Sequence, residues 1–528
     1  MTTYRTGLAA LALASGLVLG TSQAGAQTLT IGVNAAPSSV DPHFHNGTST
    51  NTLTNHLFDT LFRSTPDGKF EGALAESWKA LSDTEWEVKL RPGVRFTDGR
   101  ALTADDVVFT FERAPNVPNT TAGFGGAIRS VQRTEVVDPL TLRIHTPTPA
   151  PNLPLELSIL YIVSRHVGEG ATTEDYNAGR AAVGTGAYRL VRFSPGDGVE
   201  LVRNDDWWDT KPDWEKVNFK FLPNAAGRTA ALLSGAVDMI DTPSPNDIPR
   251  LRSDSRFSVV SRQGLRLIYL APNQAAEVAP FVTDNEGKPL TANPLKDHRV
   301  REALSIALQR DGLAERVMQG TATPNGQWLP PGTYSYNPDV KVPPYDPDRA
   351  KRLLAEAGYP DGFRITLHVS QSTRPTDPIA AQAIAQMWTR IGVQTTVEAL
   401  PLAAYAARAA KLEFAVTMWG WGGSGASAQA GYALVNVFNT FDRDKRTGAF
   451  NRSGYSNPAL DTLTERALAT LDDDARSLLL QKAVAMVMED VAIIPLYQMT
   501  NIWATRKGVR YEPSSYDYTR AMQAHLVR

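Results

Sequence analysis

Strand-like and helix-like patterns alternate along this chain, and that alternation is its strongest constraint on architecture. Leu29-Thr30-Ile31-Gly32-Val33 has a two-residue period and runs into a polar turn over Asn34 to Ser39. Glu85 to Leu90 alternates again, with Trp86, Val88 and Leu90 on one face. Thr103-Ala104-Asp105-Asp106-Val107 then reads as a helix start. Thr103 sits at the cap, Asp106 takes the capping-box position, and both acids favour the positive helix end. The pattern predicts a helix over roughly Arg299 to Val317 and a third after Asp346-Pro347. That third helix should end at Gly358, before a strand over Phe363 to Val369. Strands interleaved with helices and long returns predict an α/β protein. At 528 residues the chain exceeds what one core organises, so two or three domains are expected.

The first 26 residues read as a secretory leader. Arg5 provides a positive start, Leu8 to Leu19 an apolar run too short for a comfortable bilayer span, and Ala24-Gly25-Ala26 a small-residue cleavage site before Gln27. No later segment is apolar for long enough to cross a membrane. The formal net charge is −2, which gives no global attraction for nucleic acid or anionic lipid. Cysteine is absent. That excludes disulfides, thiolate metal sites, a cysteine nucleophile and a lipid-modified cysteine after the leader. An exported, untethered protein of a Gram-negative periplasm is the simplest reading.

Proline and glycine are spread through the chain, and no segment reads as a flexible tether. Pro324 to Pro347 is the densest breaker region and carries Trp328, Tyr334, Tyr336 and Tyr345, which predicts an ordered loop packed on a surface. Among the eight histidines only His43 and His45 stand close together, and two histidines do not make a metal site. No metalloprotease, phosphate-loop or dinucleotide-binding motif occurs, so neither cofactor nor metal is expected. Asp105-Asp106 and Asp472-Asp473-Asp474 read as helix-start charges rather than catalytic pairs.

Several phrases together resemble the solute-binding proteins of peptide and nickel ATP-driven importers, extracellular solute-binding protein family 5. They include Ala75-Glu76-Ser77-Trp78, Leu90 to Phe96, Asp98-Gly99, Gly184-Thr185-Gly186-Ala187-Tyr188 and Asn204 to Trp208. Gly235 to Asp238, Val300 to Ala303, Tyr345 to Gly358, Tyr455 to Pro458 and Ile494-Pro495-Leu496 continue the series in family order. The resemblance implies a two-lobed periplasmic binding-protein clamp of the class II, cluster C type with an additional small domain. Residues 27–71, 190–293 and 498–528 would form lobe I, 72–189 the small domain and 294–497 lobe II. It also implies a non-enzymatic monomer that hands its solute to an inner-membrane permease with a separate cytoplasmic ATPase.

Ligand contacts are expected at glycine-rich turns and aromatics facing the gap between lobes. The leading segment is Met418-Trp419-Gly420-Trp421-Gly422-Gly423-Ser424-Gly425, where Trp419 and Trp421 would share one strand face. Asn34, Ser38 and Ser39 after the first strand, and Gln327 and Trp328 in the proline-rich loop, are the other candidates. Arg262 and Arg266 read as salt-bridged groups before anion clamps. Peptide binders of the family commonly place an aspartate after the Trp-Gly phrase to meet the peptide ammonium. Here residues 422–428 contain no acid. A buried ammonium without counter-charge would cost several kcal/mol, so either another acid substitutes or the solute has no free amino terminus. A peptide-like solute, a conjugated amino acid and an oligosaccharide all fit. A periplasmic hydrolase of peptides or glycans and a chaperone-like binding module are the alternatives from other classes.

Overall fold

The computed structural model describes residues 27–65, 70–120, 123–371, 374, 376–422 and 429–527. The expected leader, and Gly423, Ser424 and Gly425 of the glycine-rich segment, lie outside the described residues.

One sheet of twelve strands runs through the molecule. At one end Tyr188–Ser194, Gly198–Arg203 and Lys216–Phe221 pair antiparallel in turn; Thr28–Val33 then lies parallel to Lys216–Phe221 and to Met239–Asp241. At the other end Phe363–Ser370 lies parallel to Val393–Leu400 and to Val416–Trp421. Two long strands, Phe257–Pro272 and Ile494–Arg506, join these halves. Phe257 to Gln263 pairs with Arg506 to Thr500 beside Met239–Asp241. Leu267 to Leu270 pairs with Gln498 to Ile494 beside Val416–Trp421. Between them the register shifts, so that Gly264, Leu265 and Arg266 face Met499 alone. A bulge of this kind bends a strand and raises its twist, and it places the turning point of the sheet at the crossing between halves.

The packing follows the two halves. One apolar core extends from Leu29, Ile31 and Val217 through Trp86, Phe96 and Val107 to Trp503 and Ala524. It includes the separate four-stranded sheet of Ala75–Ser82, Glu85–Leu90, Thr141–His145 and Arg133–Asp138, which lies within residues 72–189. A second core centres on Ile268, Leu304, Leu367, Trp388 and Leu496, with a third around Tyr269, Trp328, Phe438 and Val484. Away from the crossing the halves touch again: Gln319 Nε2 donates to Asn246 Oδ1 at 2.6 Å, and Leu471 packs against the first core. No helix among the described residues is long and apolar enough to cross a membrane.

Local signals act as their chemistry predicts. Trp86, Val88 and Leu90 are buried while Lys89 between them is exposed. Thr103 caps Ala104–Arg113, and Asp106 returns to the Thr103 amide at 2.9 Å. Asp346 caps Pro347–Glu356, and Gly358 leaves that helix at φ +93°. The expected helix over Arg299 to Val317 is instead divided into His298–Ile306, Arg310–Gly312 and the wider-pitched Leu313–Val317. Arg310 accounts for the break. Its buried guanidinium donates to Ser305 O, Ser305 Oγ and Pro495 O, which turns the chain inward where a continuous helix would carry on.

Candidate functional site

The strand Val416–Trp421 runs beside the crossing and ends in the expected aromatic pair. Thr417, Trp419 and Trp421 share one face by alternation, and Trp419 Nε1 donates to Thr417 Oγ1 at 2.9 Å. Both tryptophans are half-buried. Tyr405 stacks under Trp419 with centroids 4.6 Å apart, anchored by its hydroxyl donating to Met418 O at 2.7 Å. Trp421 meets Phe450 at 4.8 Å and Tyr432 at 5.9 Å. These rings form two groups that make an aromatic wall along one face of the strand.

Two glycines set the wall against its surroundings. A Cβ at Gly420 would lie 2.8 Å from Arg374 Nη1, so the glycine leaves room for that guanidinium. Gly422 has φ +124°, and a Cβ there would come within 2.3 Å of Leu265 O. Its role is close approach of the strand end to the bulge. Arg266, also at the bulge, pairs with Asp517 at 2.7 Å. This is the salt-bridged role expected for it.

The other candidates divide between surface and support. Asn34 and Ser38 are exposed on the opposite half of the sheet, with Ser38 Oγ 3.3 Å from Thr50 Oγ1. Ser39 is fully buried and donates to Asn177 Oδ1 while accepting from Asp41 N, so it holds the turn and presents nothing to a solute. Gln327 is 1% exposed. Its amide donates to Asn337 O and Val340 O and accepts from Asn337 N, closing the proline-rich loop. Trp328, also 1% exposed, packs on Tyr269, Phe438 and Trp421. Gln327 and Trp328 therefore brace the wall from behind, because every polar atom of one and the ring of the other are already engaged.

His43 and His45 do not act as a pair. His43 is fully buried, its Nε2 donates to Tyr161 O and its Nδ1 accepts from Arg113. Burial, with Arg113 alongside, lowers its pKa to about 4, so it stays neutral. No group of three or more potential metal ligands occurs among the described residues.

Residues that sequence reasoning missed complete the site. Arg374 reaches the wall beside Gly420 and is paired through Nε and Nη2 with Asp377, at 2.9 and 2.6 Å. Arg452 lies over the Trp419 and Phe450 rings at 5.7 and 5.4 Å. Trp421 Nε1, Tyr497 Oη, Gln498 Oε1 and Gln429 Oε1 are among the buried polar atoms without a hydrogen-bond partner. Burial raises the pKa of Tyr269, Tyr405 and Tyr497, so their hydroxyls stay protonated. A buried polar atom without a partner costs roughly 1–3 kcal/mol, and a polar solute could meet these four. The arrangement has an aromatic face, hydrogen-bonding groups and cations. Among the described residues it has no base–nucleophile pair. It is built to hold a solute.

Residues 69–440, more than half of the chain, match the model of the bacterial extracellular solute-binding proteins, family 5. The chain belongs to that family. Family 5 members are non-catalytic transport components, and this one is a periplasmic solute-binding component of an ABC importer. Similar curated proteins include Heme-binding protein A of Haemophilus influenzae, 28% identical over 502 residues, covering 89% of this chain and 87% of the relative. The dipeptide-binding protein of Escherichia coli is 28% identical and covers 88% of each chain. The glutathione-binding protein GsiB of Pectobacterium atrosepticum is 28% identical, covering 88% and 87%. Among solved structures, HbpA2 of Haemophilus parasuis superposes with a TM-score of 0.78 at 27% identity, covering 95% of this chain and all of that one. The Helicobacter pylori periplasmic binding protein DppA with the peptide STSA gives 0.77 at 23% identity, covering 94% and 98%, and supports the two-lobed fold.

Proposed function

We propose that this family 5 protein captures an extended, peptide-like organic solute, of the conjugated or amino-blocked kind, between its two lobes. The observation that carries the reading is the Trp419–Trp421 wall, set beside the bulge where the long strands bend. Rings accept the apolar parts of such a solute, and the unpartnered Trp421 Nε1, Gln498 Oε1 and Gln429 Oε1 match amide groups along its backbone. Curated relatives named for dipeptides and for glutathione support an extended solute with amide bonds. The acid-free stretch 422–428 favours one without a free ammonium end.

In this reading residues 1–26 are a cleaved leader. Residues 27–71, 190–293 and 498–528 form one lobe, 294–497 the other, and 72–189 the small domain. The mature monomer closes about the crossing and presents the closed face to a permease whose ATPase is a separate chain. Closure follows only from tighter binding to the closed state. Native mass spectrometry of gently purified protein identifies retained solute, and titration calorimetry with small-angle scattering follows its effect. The expected result is one solute per chain, recovered unchanged, with compaction on binding. Failure to compact at saturation with the recovered solute would sink the clamp mechanism.

A further inference from the structure

We infer that Gln319 and Asn246 form a latch that holds the closed clamp shut and strengthens solute capture without touching the solute. The inference rests on the two lobes closing about the crossing, as proposed above.

The long strand Ile494–Arg506 carries both halves on one edge, because Phe257–Pro272 occupies the other. On the shared edge Ala322–Pro324 pairs with Met499 to Tyr497, and Met239–Asp241 pairs with Thr505 to Trp503. Thr321 O still accepts from Thr500 N at 3.0 Å, and Thr242 N donates to Ile502 O at 2.9 Å. On that edge only Asn501 separates the last contact of one half from the first of the other. Gln319 and Asn246 stand just off these two points, Gln319 two residues before Thr321 and Asn246 four after Thr242. Gln319 Nε2 donates to Asn246 Oδ1 at 2.6 Å across the joint. Bending the strand at Asn501 to part the lobes draws the two loops apart and breaks that bond.

The backbone on both sides is held in a left-handed conformation. Gln319 has φ +51° and Thr242 φ +41°, a region especially unfavourable for a β-branched residue. Such strain persists only where surrounding bonds over-determine it. Buried Arg228 supplies those bonds at Thr242, donating to Thr242 O, Asp241 O, Leu222 O and Pro223 O. Beside Gln319, Gly320 N donates to Ala314 O, and Thr321 donates through N and Oγ1 to Met318 O. Rigid loops therefore present the two amides, and little freedom is lost when they meet.

The described arrangement is the closed one. Besides the latch, Leu471 packs against the first core, and a Cβ at Gly431 would lie 3.5 Å from Asn152 Nδ2. Both latch residues are exposed, so water competes for the bond and the lobes can still part. A contact made only in the closed state favours that state by the same factor for every solute. The latch sets how tightly the clamp holds, and the wall sets what it holds.

Two measurements on the mature full-length protein test the latch. The chain has no cysteine, so Gln319→Cys combined with Asn246→Cys creates a unique thiol pair. A short bis-maleimide should join the pair in solute-free protein and lower its radius of gyration in small-angle scattering. Failure to cross-link, or an unchanged radius afterwards, overturns the inference. Calorimetry with N-acetyl-alanyl-leucine and N-acetyl-alanyl-phenylalanine reads the effect on capture. Asn246→Ala should weaken both probes equally, by about fivefold, the scale of one hydrogen bond. Asn246→Asp should keep wild-type affinity, since a carboxylate still accepts from Gln319. Unchanged affinity in Asn246→Ala, or loss for one probe alone, overturns the latch and leaves the peptide-like reading standing. Absence of binding by both probes overturns the peptide-like reading, and the cross-linking result then decides the latch by itself.

Discussion

Arg266 and Asp517 form an ion pair of 2.7 Å that fastens the bulge of strand Phe257–Pro272 to the C-terminal segment. Arg266 Nη1 also lies 3.5 Å from Gly420 O, within the aromatic wall. One side chain thus touches the bend, the aromatic wall and the tail. Asp517→Asn should lower stability by about 1–3 kcal/mol, between an exposed pair and a fully buried one. Urea unfolding measures the loss. Scattering of the ligand-free variant should show a wider distribution of dimensions than wild type, since the bend loses its tether.

Replacing Trp419 or Trp421 by alanine should weaken binding of an amino-blocked dipeptide such as N-acetyl-alanyl-leucine about tenfold, from lost ring contact of roughly 0.5–1.5 kcal/mol per aromatic pair together with lost apolar area. Both variants should fold, because each ring is only half-buried. Wild-type affinity in both would show that the solute lies elsewhere.

The contribution of two buried histidines to stability should fall with acidification between about pH 6.5 and 4, while buried Asp59 and Asp241, raised to about 6 and about 7, act in the opposite direction. His43 and His56 are fully buried, and burial holds both near a pKa of about 4. Their pKa values are depressed on folding, so below about 6.5 the unfolded chain takes up protons that the native state refuses. The limiting slope is about 1.4 kcal/mol per pH unit for each histidine. His56 Nδ1 donates to Thr52 O and Nε2 accepts from Ala521 N, so protonating Nε2 breaks the link to the tail. The wild-type denaturant midpoint minus that of His56→Gln should decrease from pH 7.5 to 5, which isolates the histidine contribution.

Deleting residues 513–528 should abolish cooperative folding of the first half. That segment supplies Ala524 O to Trp214 Nε1, Leu526 N to Asp213 Oδ2, and the partner strand of Val509–Tyr511. Circular dichroism should show loss of a single sharp melting transition. A truncated protein melting like wild type would mean the tail is an appendage.

Asp106→Ala should cost about 1–2 kcal/mol through loss of its cap, and more through the Arg165 amide that Asp106 Oδ1 also accepts at 2.8 Å. Asp105→Ala, at an exposed position, should change stability by less than about 0.5 kcal/mol. Solute binding should be untouched by both. The two adjacent acids divide structural work, with no catalysis between them.

Short-range chemistry was readable wherever a few neighbouring residues decide the outcome. The alternation in Glu85–Leu90, the Thr103–Asp106 box and the Asp346 cap each depend on contacts within a few positions. The division of the helix at Arg310 was not readable, since Pro495 and Ser305, which receive its guanidinium, are brought together only by the sheet. Trp328 shows the same limit: its composition-rich loop suits binding and packing alike, and Tyr269 and Phe438 assign it to packing.

From sequence alone came the α/β alternation, the series of family phrases, the Trp419–Trp421 pair and the missing acid after Trp421. These are properties of residue identity and spacing. Tertiary structure alone decided which side chains surround that pair. Arg374, Tyr405 and Arg452 come from separate parts of the chain and carry no local motif. What each one meets, a counter-charge, a carbonyl or a ring, lies on another part of the chain, and only the folded sheet sets that distance.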